Sequence, residues 1–166
     1  MLEIALDSDG EWDSNIGDAL VRSAAEAAIA ESAFPQLGQS RRAVELSVRL
    51  AGDEDVRALN AKWRGKDRAT NVLSFPLAEA DDLGSAHGDG PGLLLGDIVL
   101  AAGVCAAEAG DKGISIADHA AHLIVHGTLH LLGYDHDGDA EAAEMEAREV
   151  RALGRLGIAD PYRAAC

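Results

Sequence analysis

Three histidines and a glycine in residues 126–136, HGTLHLLGYDH, are the side chains of this sequence best placed to do chemistry. His126 and His130 lie four apart, so on a helix they share one side, a turn above each other, and offer two imidazoles to a single point. Gly133 then ends the helix. A glycine just past the last turn takes the left-handed conformation that bends the chain back, which returns His136 as a third ligand. Three neutral nitrogens converging at about 2.0–2.1 Å suit a catalytic zinc, whose fourth position stays open for water.

The offsets equal those of the metzincin zinc signature HExxHxxGxxH with one change: Gly127 stands where a peptidase carries its glutamate base. The pattern therefore offers the geometry of a zinc hydrolase without the usual protease chemistry. His122 lies four residues before His126, so His122, His126 and His130 form a ladder along the helix. Its ends are about 12 Å apart along the axis, too far for one ion to bridge. The turn at Gly133 favours the pair 126 and 130, because only the chain beyond it can deliver a third imidazole nearby. His119 and His122 are expected as packing residues, or as partners that orient a ligand through its other ring nitrogen.

A second stretch, residues 59–76, reads LNAKWRGKDRATNVLSFP and places Lys62, Arg64, Lys66 and Arg68 within seven residues. The chain carries 14 basic and 29 acidic residues, a net charge of −15, which by itself argues against a nucleic-acid partner. Distribution outweighs the sum. The acids crowd into residues 7–13, 53–55, 79–89 and 135–149, leaving these four bases free to face phosphate. For proton transfer the sequence offers Asp135 and Asp97.

The elements that must position these groups follow from periodicity. Residues 2–6 alternate as a short strand, and Ser14 is placed to cap a helix to about Ser32 with Ile16, Leu20, Ala24, Ala27 and Ala28 inward. Residues 43–50 alternate Val44, Leu46, Val48 and Leu50 as a second strand. Asp53 is expected to cap the next helix, which carries Val56, Leu59 and Trp63, before a strand at residues 71–75. Residues 77–92 read as a loop in which His87 has no role. The nearly unbroken apolar run at residues 93–99 predicts a central strand, with Asp97 as a structural anchor. A helix over residues 100–108 is expected to end near Gly110. Ser115 with Asp118 caps the histidine helix, and Asp139 caps a final helix to about Leu156, with Ala143, Met145, Val150 and Leu153 for packing.

At 166 residues the chain is expected to be one domain, 1–166, able to bury a core without staples. Two cysteines, Cys105 and Cys166, suit a reducing compartment. The first 20 residues carry no secretory pattern, and the most apolar stretch, residues 93–107, is too short to span a bilayer. A soluble cytoplasmic protein with no membrane partner is the expectation.

Together with LLGDIVLA at 94–101 and EMEAREVRALGRLGIADPY at 144–162, the two stretches above resemble the YbeY family of bacterial endoribonucleases and rRNA maturation factors. The likeness runs from about Ala51 to Tyr162. It implies an α/β (α+β) fold with a small mixed sheet flanked by helices, zincin-like in carrying its metal on a helix and the following turn. It further implies one zinc per chain and zinc-dependent, single-strand-specific RNA cleavage in rRNA maturation and ribosome quality control. By position the zinc ligands and catalytic histidines would be His126, His130 and His136, with Arg64 the catalytic arginine. Lys62, Arg64, Lys66 and Arg68 would hold substrate, and partners would be an rRNA precursor, ribosomal proteins and other nucleases. The rival readings are a zinc hydrolase of another class, peptidase-like, and a ribosome assembly factor whose zinc is mainly structural.

Overall fold

Branched apolar residues alternating with polar ones make the strands of this protein, and the computed structural model describes them within residues 2–10, 12, 15–84 and 92–162. Among the described residues the strands are β1 (Leu2–Ser8), β2 (Val44–Ala51), β3 (Val72–Pro76) and β4 (Leu93–Ala101). They form one mixed sheet in the order β1-β2-β4-β3: β2 is parallel to β1 and to β4, and β3 runs antiparallel at the edge. The apolar run of β4 is thus central. The helices are α1 (Asp18–Ala30), α2 (Asp53–Arg64), the single turn α3 (Ala80–Gly84), α4 (Ala102–Lys112), α5 (Ile116–Leu131) and α6 (Asp139–Arg155), with a 3₁₀ turn at Pro35–Gln39. None of them is long and apolar enough to cross a membrane.

Successive residues of a strand point to opposite faces, and this sheet uses both. Leu95, Ile98 and Leu100 of β4 join the main core with Ile124, Leu129 and Leu131 of α5 and with residues of α1 and α6. Each such side chain, fully buried, contributes about 1.5–3 kcal/mol. Val99 and Ala101 face the other way, onto Val56 of α2. Helix α5 is buried almost all round, as expected of an apolar helix laid between a sheet and other helices.

Gly96 decides how closely α5 lies on the sheet. One extra residue in β4 shifts its register against β2 here, and Gly96 takes φ +143°, where a side chain is strained. A Cβ at this position would run into the Phe75 carbonyl and approach Leu131 Cδ2 to 2.8 Å. The bulge therefore seats the end of α5 that carries His130.

Several local expectations are corrected by tertiary contacts. Asp53 does not cap its own helix; Gly52 holds that position, and the Asp53 carboxylate accepts the Gly103 and Val104 amides at 2.8 and 3.1 Å, capping α4 from another element. Residues 100 and 101 stay in β4, paired with Leu50 and Ala51, so α4 starts at Ala102 and runs to Lys112 with Gly113 as its cap, past the end expected near Gly110. Gly138, not Asp139, precedes α6. Helix α1 starts at Asp18 after Gly17; Ser14, His87 and Cys166 lie outside the described residues. Trp63 is carried by α2 as expected and is 62% exposed.

Helix α6 is tied to the end of α1 through Glu31. Arg148 donates to its backbone carbonyl at 2.6 Å, while Arg155 and Arg151 hold its carboxylate at 2.5 and 3.1 Å. The Arg155 bond draws the carboxyl below its ordinary 4.5; burial opposes it, and Arg151 adds a further pull in the same direction as Arg155. A carboxylate whose pKa is depressed on folding stabilises the protein above its unfolded value and loses that contribution as pH falls through the folded value. Glu31→Gln is thus expected to lower the melting temperature at pH 7 and to have progressively less effect below pH 4.5. Melting curves whose separation stays constant from pH 7 to pH 3 would contradict this.

Candidate metal centre

Helix α5 ends in a closed C-terminal motif built by backbone geometry. Gly133, at φ +95°, donates to the His130 carbonyl at 3.0 Å and Tyr134 donates to the Leu129 carbonyl at 3.1 Å. The chain folds back over the last turn, and His136 returns to the helix face that bears His126 and His130. Ring centroids are 4.5 Å apart for 126 and 130, 5.1 Å for 130 and 136, and 5.6 Å for 126 and 136. One ligand nitrogen from each lies within 4.8 Å of the others.

The hydrogen bonds around the rings decide which nitrogens are free. His130 Nδ1 faces the Tyr134 carbonyl at 2.9 Å, and His126 Nδ1 faces Oε1 of Glu149. Neither oxygen can donate, so both δ nitrogens carry the proton. The two ε nitrogens then confront each other as bare lone pairs 3.0 Å apart. Two lone pairs at that distance repel unless a cation lies between them, so the donor set fits a metal that binds imidazole. Burial, then the charges of His126 and His136, push the His130 imidazole down to about 4, so it is neutral and able to ligate at neutral pH.

Glu149 is the residue that sequence reasoning missed. It is wholly buried, and its second oxygen accepts the Tyr162 hydroxyl while His122 Nε2 lies 3.8 Å away. Burial opposes its charge, yet the His122 and His126 rings and the Tyr162 hydroxyl outweigh that and hold the carboxyl at about 2. Burial and the adjoining carboxylate push the Tyr162 phenol up. A signal was present: Met145, Glu149, Ala152 and Leu153 recur at helical spacing, so the carboxylate lies on the apolar face of α6.

The remaining candidates are spread out. His119 pairs with Glu108 at 2.8 Å, and His122 approaches the Tyr162 hydroxyl at 3.3 Å, so neither belongs to the trio. Asp135 is exposed beside His136 and accepts its backbone N–H at 2.7 Å. That bond, and one shared with Asp137, lower the Asp135 carboxyl; the Asp137 carboxyl is raised by the shared bond and the neighbouring charge. Asp97 is far less apt for proton transfer. It lines an open groove of about 410 Å³ with Glu45, Ser47 and Leu94, on the face opposite to Ile98 and α5. Gly127 is packed on Ile98, where a Cβ would lie 3.0 Å from the isoleucine Cγ2, so a side chain in the position of a peptidase base would require the isoleucine to shift.

Lys62, Arg64, Lys66 and Arg68 are all exposed. Arg64 ends α2 and reaches the edge strand, donating to the Ser74 carbonyl at 2.6 Å with its guanidinium 5.5 Å from the Phe75 ring centre. Val56 and Leu59 of α2, the helix that carries Lys62 and ends at Arg64, pack with Leu73 and Phe75 of β3, and β3 also contacts α5.

Residues 9–157 match the family described as Endoribonuclease YbeY. Proteins named Endoribonuclease YbeY from Erythrobacter litoralis and Sphingopyxis alaskensis are each 50% identical over 164 residues, covering 97% and 98% of this chain and 96% and 98% of their own. The protein of that name from Paramagnetospirillum magneticum is 52% identical over 162 residues, covering 97% of this chain and 96% of its own. In fold, the chain is similar to the solution structure of TM1509 from Thermotoga maritima, with a TM-score of 0.54 at 22% identity over 99% of this chain and 100% of that one.

Proposed function

The chain belongs to the YbeY family of endoribonucleases, and from that premise we propose that it is a zinc-dependent, single-strand-specific endoribonuclease acting in rRNA maturation and ribosome quality control. The observation that carries the zinc is the pair of bare ε nitrogens on His126 and His130, with His136 beside them. A zinc held there supplies Lewis acidity, acidifying water to a pKa of about 7 or polarising a phosphoryl oxygen. The chain's own groups do the rest. His126 is oriented by Glu149 and His130 by the Tyr134 carbonyl, so neither ring has to turn to bind. Asp135 and Asp137, which share a hydrogen bond, are the carboxylates at hand for proton transfer. Arg64 stabilises charge gathering on the phosphate through its planar fork, and Lys62, Lys66 and Arg68 hold neighbouring phosphates. A peptidase reading finds no support at Gly127, which carries no side chain to act as a base.

The test is elemental analysis of the purified protein together with cleavage of an rRNA precursor, of the same sequence as a duplex, and of casein. Zinc in a one-to-one ratio with cleavage of the single strand alone is expected; casein cleavage without RNA cleavage overturns the reading. In the same assay Arg64→Ala is expected to lower RNA turnover by about a hundredfold or more with metal content unchanged. Undiminished turnover in that variant removes the arginine from the mechanism.

A further inference from the structure

Trp63 is the most exposed of the large apolar side chains among the described residues, at 62%, and it stands between two of the basic residues, Lys62 and Arg64. The chain's other tryptophan, Trp12, is buried and donates its indole N–H to the Ala51 carbonyl at 2.8 Å, as a structural tryptophan does. Trp63 has no such anchor in α2, whose small core of Val56, Leu73, Val99, Ala51 and Ala101 leaves it out. The Lys62 ammonium lies 5.1 Å from its ring centre.

Among the described residues, no carboxylate pairs with Lys62, Lys66 or Arg68. Asp67, the acid within the basic loop, is held by Arg57 of α2 through two bonds of 2.8 and 3.1 Å. Lys66 and Arg68 on either side of it therefore keep their charge. Gly65, at φ +68°, turns the chain sharply after Arg64, so the loop bases follow directly on the helix end that carries the indole. In a protein of net charge −15, an aromatic face set among cations that no described carboxylate pairs with is a local exception.

We propose that Trp63 is a stacking platform for an unpaired base of single-stranded RNA, with Lys62, Lys66 and Arg68 on the flanking phosphates. The proposal rests on the nuclease reading above and names how its substrate is held. A flat aromatic ring accepts the face of any base but only when that base is unpaired, while cations track the backbone without regard to sequence. The platform thus selects single strands outside the metal centre. A strand seated on it passes Arg64 at the edge of β3 on its way to the histidines of α5, which also contacts β3.

Binding of a labelled 2′-O-methyl oligoadenylate, which resists cleavage, tests this against an abasic strand of the same length. Trp63→Ala is expected to weaken oligoadenylate binding by about tenfold, and Trp63→Phe to retain most of it. The salt dependence should be the same in all three proteins, since no cation is removed. The wild type should lose the same factor on the abasic strand, which Trp63→Ala should bind as well as the wild type does. Trp63 is on the surface, so melting temperatures should not change. Equal oligoadenylate affinity in Trp63→Ala, or equal affinity of the wild type for both strands, overturns the platform, as does a loss confined to binding of ribosomal particles. If these fail while the wild type still cuts RNA, only the platform falls; a wild type that neither binds nor cuts RNA overturns the nuclease reading with it.

Discussion

His130→Ala is expected to leave the protein folded, free of zinc and without measurable RNA cleavage. The imidazole is the middle member of the trio, facing His126 through its ε nitrogen and fixed by the Tyr134 carbonyl through its δ nitrogen. Alanine removes a third of the ligand set and leaves two nitrogens that no longer enclose an ion. The local cost is modest, about 0.5–1.5 kcal/mol for the bond to Tyr134, because the core of α5 lies on its other side. Elemental analysis, circular dichroism and an RNA cleavage assay read the three parts separately. Chelation of the wild type should reproduce the same result, activity lost and helix content kept. Unfolding on chelation would instead favour an assembly factor with a structural zinc, and full turnover in His130→Ala would remove the site from the reaction.

Glu149→Gln carries the second large effect. The carboxylate receives two donors on separate oxygens, the His126 ring on one and the Tyr162 hydroxyl on the other. An amide of the same shape presents an oxygen to only one of them and an NH₂ group to the other, so a donor faces a donor in a buried place. About 1–3 kcal/mol of stability is expected to be lost. Because the δ proton of His126 loses its charged acceptor, zinc affinity should fall by about 10–100-fold, measured by competition with a chelator. Glu149→Asp, which keeps the charge but shortens the reach, should lie between the two. Unchanged zinc affinity in Glu149→Gln would reduce the residue to a packing role.

The convergence of the three histidines was legible because its determinants are local. Spacing of four on a helix, a glycine one residue past its cap and a histidine three further on are properties of eleven consecutive residues, and backbone geometry turns them into convergence whatever surrounds them. The same holds for the alternation of β2, the apolar run that put β4 in the middle of the sheet, and the Ser115 cap, whose hydroxyl accepts the Asp118 amide at 3.0 Å.

What only the tertiary structure decided concerns groups whose meaning depends on a partner far along the chain. Glu149 is 23 residues from the ring it orients, and Asp53 is 50 residues from the amide it caps; neither distance leaves a mark on local periodicity. Asp97 could not be assigned to a face until the bulge at Gly96 set the register, and it then turned away from the histidines. Trp63 has the same helical spacing as Val56 and Leu59, yet only those two join the core beside β3 and β4 while the indole stays exposed. Backbone torsions are written residue by residue, whereas burial and electrostatic pairing are properties of the space between elements and exist only once those elements have packed.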